Sequence, residues 1–207
     1  MTVAVPMPPG LIALVRLSAA LARGVDEDLT PFLQAALEQG APEEVEEALL
    51  QAYLFLGYPA ALRGFQAWRT ASGRPPPAPA PEDRGAWHEA GRETCGAVYG
   101  SAYPALRRNI SRLNRDLDRW MVVEGYGKVL ARPGLPLWKR ECCIAAILIV
   151  LGAEPQLRSH LRGALRTGAP APVLAEVVDE AVAMTPAARR DRALKAWKDV
   201  LRRWEEA

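Results

Sequence analysis

The chain is poor in the groups that build covalent and metal-bound frameworks. Its 207 residues include three cysteines, Cys95, Cys142 and Cys143, and two histidines, His88 and His160. An odd, sparse cysteine set is no disulfide scaffold. Two isolated histidines without a ligand cluster make no metal site, so neither a metal nor a cofactor is expected. Cys142 and Cys143 are adjacent, whereas a redox pair needs a spacer that lets both sulfurs face each other. At the head of the run AAILIVL they read as small core residues.

Long apolar runs are missing too. Nothing approaches the 18 or so residues of a membrane span, and the longest stretch, 142–152, reads as a buried helix. The opening MTVAVPMPPG lacks the charged region and apolar core of a leader peptide, so a cytoplasmic location is expected. Neither sign of charge dominates, with 26 basic against 24 acidic residues. That balance gives no reason to expect a nucleic-acid or membrane surface, and Arg189, Arg190 and Arg192 read as the solvated face of a helix. The four lysines, against 22 arginines, speak against a lysine-rich thermophile composition. GYGKVL at 125–130 has neither the spacing nor the context of a phosphate loop, and no GxSxG elbow occurs.

Alternating strand patterns are also absent, and apolar residues recur at helical spacing almost throughout. The periodicity predicts an all-α fold with helices over 11–23, 27–39, 43–56, 59–71, 86–98, 103–122, 136–151, 155–167, 171–184 and 187–204. GRPPPAPAPEDR, 73–84, holds five prolines that forbid helix interior and favour an extended spacer. The expected organisation is a first, degenerate helical module over 1–72, a proline-rich linker over 73–85, and a second module over 86–207. The second module has a long helical lead-in.

A repeat underlies this division. GVDEDLTPFLQAALEQGAP (24–42) and GAEPQLRSHLRGALRTGAP (152–170) have equal length and share Gly, Leu, Leu, Ala, Leu, Gly, Ala and Pro at an offset of 128. Gly40 and Gly168 each close an apolar stripe, as helix C-terminal glycines do. Pro42 opens the next helix with Glu43 and Glu44 in its first turn, where acids complement the dipole. Upstream, PPGL at 8–11 and RPGL at 132–135 match at an offset of 124, so the first copy is expected to have a shorter first helix.

His160 occupies the place of Phe32 and so points inward on the apolar stripe. A buried imidazole needs a partner. If the helices flanking Gly152 form an antiparallel hairpin, Glu141 lies about 16 Å and His160 about 12 Å from the turn along their axes, at similar height. The residue matching Glu141 in the first copy is apolar, Ala13 or Leu17 by the two offsets. A carboxylate that orients an imidazole is acid/base machinery if substrate reaches it; otherwise the pair is a satisfied core histidine with a structural carboxylate.

The stretch EGYGKVLARPGLPLWKRECCIAAILIVLGAEPQLRSHLRGALRTGAP resembles the carboxymuconolactone decarboxylase superfamily, which includes alkylhydroperoxidase D. The resemblance rests on Tyr126–Gly127, Arg132–Leu135, Arg140–Glu141, the Ala-rich helix, and Leu157, His160, Ala164 and Gly168. The first unit looks like a worn copy. The resemblance implies an all-helical fold of tandem helical-hairpin modules and homo-oligomers, here a dimer or trimer of two-module chains. Glu141 and His160 fall where the peroxidase branch has its glutamate and downstream histidine. That branch's two cysteines are Ala153 and Gln156 here, so its thiol chemistry is not implied, and the chain is closer to the thiol-free decarboxylase branch.

The expected activity is acid/base chemistry on a small carboxylated or lactone-like substrate. His160 would transfer the proton, Glu141 would orient it, Gln156 and Tyr126 would line the pocket, and Arg132 or Arg140 would bind a substrate carboxylate. Two alternatives stand beside it. One is a non-catalytic scaffold or small-ligand binder, and the other a redox protein using Cys142 or Cys143.

Overall fold

The computed structural model describes residues 6–206, and they are all-helical; the first five residues of the stretch inspected for a leader lie outside them. Two compact units are present. One runs to Pro76 and resumes at Gly134, and the other is Pro77–Pro133.

The first unit holds α1 (Leu11–Arg23), α2 (Thr30–Gln39), α3 (Pro42–Ser72), α7 (Leu137–Leu151), α8 (Glu154–Arg166), α9 (Ala171–Ala183) and α10 (Ala187–Glu205). α2 begins three residues later than the pattern predicts. The Asp28 carboxylate accepts from the Thr30 backbone N–H at 2.9 Å and holds the preceding residues in a turn. The helices read at 43–56 and 59–71 are the two arms of α3, which meet at Gly57 (φ 76, ψ 175), where the backbone leaves helical geometry just before Pro59, whose ring forbids a straight continuation. Glu43 and Glu44 do sit in its first turn. Along the chain, α1, α2 and the two arms of α3 thus run in the same order as α7, α8, α9 and α10. As the two offsets imply, α1 is the shorter first helix, 13 residues against 15 for α7.

These two series pack on one another. α1 lies on α7, α1 also on α9, and α7 reciprocally on α3. One core contains Leu14, Leu17, Leu33, Leu49 and Trp68 together with Cys143 and Ile147. α7 is buried all round, from Arg140 to Val150 without a break. That explains the apolar run from Cys142 to Val150 and makes the charges of Arg140 and Glu141 expensive unless they are paired.

The second unit holds α4 (Arg84–Tyr99), a 3₁₀ turn (Gly100–Ala102), α5 (Tyr103–Leu113), α6 (Arg115–Trp120) and a π-helix (Met121–Leu130). Between Ser72 and Arg84 the proline-rich stretch has no helix. The single helix expected over 103–122 is divided. Asn114 is extended (φ −163, ψ 128), and its side chain accepts from the Leu117 N–H at 2.9 Å, capping α6. α4 meets the π-helix at two glycines. A Cβ on Gly127 would lie 1.8 Å from the Trp87 carbonyl oxygen, and one on Gly91 2.0 Å from that of Val122. Gly127→Ala is expected to destabilise this unit by about 1–3 kcal/mol through overpacking. Urea unfolding followed by tryptophan fluorescence checks it, and an unchanged midpoint would show that the backbones part freely.

Candidate active site

α7 and α8 are joined by a turn at Gly152 and Ala153. Gly152 closes α7 in the left-handed conformation (φ 71), and the Ala153 N–H reaches back to the Leu148 carbonyl at 3.0 Å. The helices form the antiparallel hairpin, which sets Glu141, one turn into α7, beside His160 in the middle of α8. His160 Nδ1 lies 2.8 Å from Glu141 Oε2. Glu141 is wholly buried and His160 is 5% exposed. A carboxylate oxygen accepts, so Nδ1 is the ring nitrogen that donates in this contact. The second carboxylate oxygen, Oε1, is buried and accepts no hydrogen bond among the described residues.

The corresponding places in the first series are apolar. Phe32 packs against the core, and Ala13 and Leu17 are buried in it. The joint replacement of histidine and glutamate by hydrocarbon therefore has a packing explanation. An imidazole or a carboxylate alone would be stranded in either core.

Phe55, on α3, meets His160 edge-to-face, with ring centroids 5.7 Å apart and planes at 82°. The first series thus supplies an aromatic wall to the pair in the second. Sequence reasoning missed Phe55, since 105 positions separate it from His160 and nothing in a linear pattern links them.

Arg140 precedes Glu141 but turns to other partners. Its Nη2 donates to Glu47 Oε2 at 2.9 Å and its Nε to the Leu135 carbonyl at 3.0 Å. Nη1 lies 3.5 Å from Gln51 Oε1, and Gln51 Nε2 donates back to the Arg140 carbonyl at 3.3 Å. Next to it Lys139 pairs with Glu44 at 2.6 Å. The basic start of α7 is thus ionically fastened to the acidic start of α3. Gln156 sits one turn before His160 on α8 and is exposed. Tyr126 and Arg132 belong to the other unit, where the Tyr126 hydroxyl lies 3.3 Å from that of Tyr99.

All three cysteines are buried. Burial pushes the Cys143 thiol up to about 11, offset in part by a hydrogen bond with Ser18 and by the charge of Arg140. Cys142 is also held well above the ordinary value, first by burial and then by the neighbouring Cys143 and Glu141. The thiolate is the reactive form, so an aromatic disulfide reagent at pH 8 is expected to label none of the three in the native protein and all three after denaturation. Rapid labelling of one thiol in the native state would revive a redox role. The same shift has a stability consequence. The native thiol keeps its proton where the unfolded one ionises, so its contribution is complete below the ordinary pKa of 9.0 and is lost as pH rises through about 11.

Residues 119–199 match the carboxymuconolactone decarboxylase family, and the span contains both Glu141 and His160. The chain is 34% identical to the 4-carboxymuconolactone decarboxylase of Acinetobacter baylyi over 70 residues, which are 34% of this chain and 52% of that protein. The match therefore spans about half the length of that decarboxylase. The chain is also 27% identical over 173 residues to "Peroxisomal protein 2" of Schizosaccharomyces pombe, covering 79% of this chain and 80% of that one.

Proposed function

Because residues 119–199 match the carboxymuconolactone decarboxylase family, we propose that Glu141 and His160 form an acid/base site for a small carboxylated or lactone-like substrate. The observation that carries this reading is the 2.8 Å contact between His160 Nδ1 and Glu141 Oε2 within the matched span. Loss of CO₂ leaves an electron pair on carbon, and an acid must deliver a proton there. An imidazole clamped at Nδ1 by a carboxylate must first take up a proton at Nε2, from the substrate or from solvent; the carboxylate stabilises the imidazolium so formed, and Nε2 then delivers that proton to carbon and returns to the neutral ring. Phe55 fixes the ring plane by its edge contact. Gln156 remains in the proposal as a substrate contact, and Tyr126 and Arg132 are expectations of the sequence alone. Arg140 is the proposal's weakest member, because its guanidinium is already committed to Glu47.

Two series of helices in the same order, packed reciprocally, support tandem modules, of which the second keeps the polar pair. A homo-oligomer of such chains belongs to the same proposal, and light scattering reads it directly. The test of the activity is turnover of 4-carboxymuconolactone by the full chain and by His160→Gln. Turnover abolished in the variant supports the site, and turnover intact in the variant removes His160 from the chemistry.

One observation favours a second reading, a non-catalytic scaffold or binder. The pair is almost entirely screened from water, with Glu141 at 0% exposure. A wild-type protein that turns over no lactone or small carboxylic acid, and whose pair contributes only to stability, would establish that reading instead.

A further inference from the structure

At the far end of α7 from Glu141 lies a cavity of about 390 Å³ with a different character. Val150, on its wall, is nine residues from Glu141, about 13 Å along the helix axis. Three guanidinium groups line it, from Arg23, Arg189 and Arg190, together with Met184, Thr185 and Val150, and among the described residues no acidic side chain takes part.

The charges there are unevenly satisfied. Arg23 is neutralised by Glu27 at 2.9 Å. Arg189 donates from Nη1 to the Val150 carbonyl, and Arg190 donates from Nε to the Thr185 carbonyl at 2.7 Å. Both acceptors are uncharged, and among the described residues neither arginine meets a carboxylate. Each guanidinium has five N–H donors and has spent one, so most of its fork remains for a planar or tetrahedral oxyanion.

Arg190 is exposed and is held at its Nε by the Thr185 carbonyl, whereas Arg189 is half-buried and is fixed along its stem. The Arg189 stem lies across Gly152, where a Cβ would come within 3.1 Å of its Cδ. Its carbonyl bond then ties it to the end of α7. α10 starts immediately after Pro186, which also lines the cavity, and no side chain caps that helix. Helix C-termini at Val150 and Ala183 reach the same space. Each brings only about half a negative charge, less than the two whole charges of Arg189 and Arg190.

We propose that this cavity is a binding site for a small organic oxyanion, a carboxylate or phosphate ester. The anion lies on Arg189 and Arg190, and the apolar remainder lies over Met184 and Val150. The site shares no residue with the Glu141–His160 pair, and the inference does not depend on that pair being catalytic.

The test is titration calorimetry of the full chain at low ionic strength with phenyl phosphate, benzoate and the neutral analogue phenol. Binding of phenyl phosphate, benzoate or both, weakened by added salt and absent for phenol, is expected. Arg190→Gln should weaken it at least about ten-fold, the effect of losing one charged hydrogen bond. Arg189→Gln should do the same. If that variant unfolds through loss of its bond to Val150, Arg190→Gln decides alone. Arg202→Gln, on the same helix but paired with Glu206, should bind as wild type, as should His160→Gln. Binding of neither anion, equal binding of phenol, or affinity unchanged in Arg190→Gln would overturn the proposal.

Discussion

Arg140→Met is expected to destabilise the first unit by about 3–5 kcal/mol, the cost of breaking a buried ion pair by removing one partner. Arg140 is fully buried and Glu47 is 8% exposed. The guanidinium also donates to the Leu135 carbonyl and lies within hydrogen-bond reach of Gln51, so one side chain joins the start of α7, the segment before it and α3. Methionine fills similar volume and removes the charge, which isolates the electrostatic loss from a cavity. The damage comes from taking this cation away from a buried carboxylate rather than from the intrinsic worth of the pair. Adding Glu47→Gln to Arg140→Met should therefore recover most of the loss. Urea unfolding of the four proteins of this cycle measures the coupling. A double variant no more stable than Arg140→Met would mean that packing, not the stranded charge, sets the cost. Turnover by a properly folded Arg140→Met also bears on substrate binding. Full activity would take Arg140 out of the substrate site altogether.

The helical class and nearly every helix boundary were legible in the sequence, because 3.6-residue apolar periods and cap residues are local signals. The places where the reading departed are those where a local signal was weak or conflicting. Asn114 sits inside an otherwise helical pattern and divides it by capping α6 with its own side chain. The π-helix at Met121–Leu130 has no separate sequence period to announce it. Glu141 and His160 were visible as a pair, since the repeat put hydrocarbon at both corresponding places and the hairpin arithmetic put them at one height. Phe55, Glu47 and Gln51 were not. Each acts on the second series from α3, roughly 90 to 105 positions away, and such contacts become apparent only when the chain is folded. The arginines at 189 and 190 look like any solvated basic face until the groove between α7, α9 and α10 gathers them round one cavity.

Two substitutions at His160 should behave in opposite ways, and their comparison separates chemistry from architecture. His160→Gln keeps an N–H donor in reach of Glu141 and nearly conserves volume, so its effect on stability is expected to be small. It also removes the imidazole that would carry the proton. If the pair is an acid/base site, kcat/KM on 4-carboxymuconolactone should fall by about 10²–10⁴-fold, the usual contribution of one positioned acid or base. His160→Leu instead restores hydrocarbon, as Phe32 does in the first series, but leaves the Glu141 carboxylate at 0% exposure with no imidazole beside it. That variant should lose about 3–5 kcal/mol of stability. Pairing His160→Leu with Glu141→Ala should recover a large part, since the first series packs an alanine, Ala13, at the matching place. A pair kept only for packing predicts that the double variant folds well and that His160→Gln changes nothing measurable. A pair kept for chemistry predicts a stable His160→Gln protein that has lost turnover, and that outcome separates the catalytic reading from the scaffold.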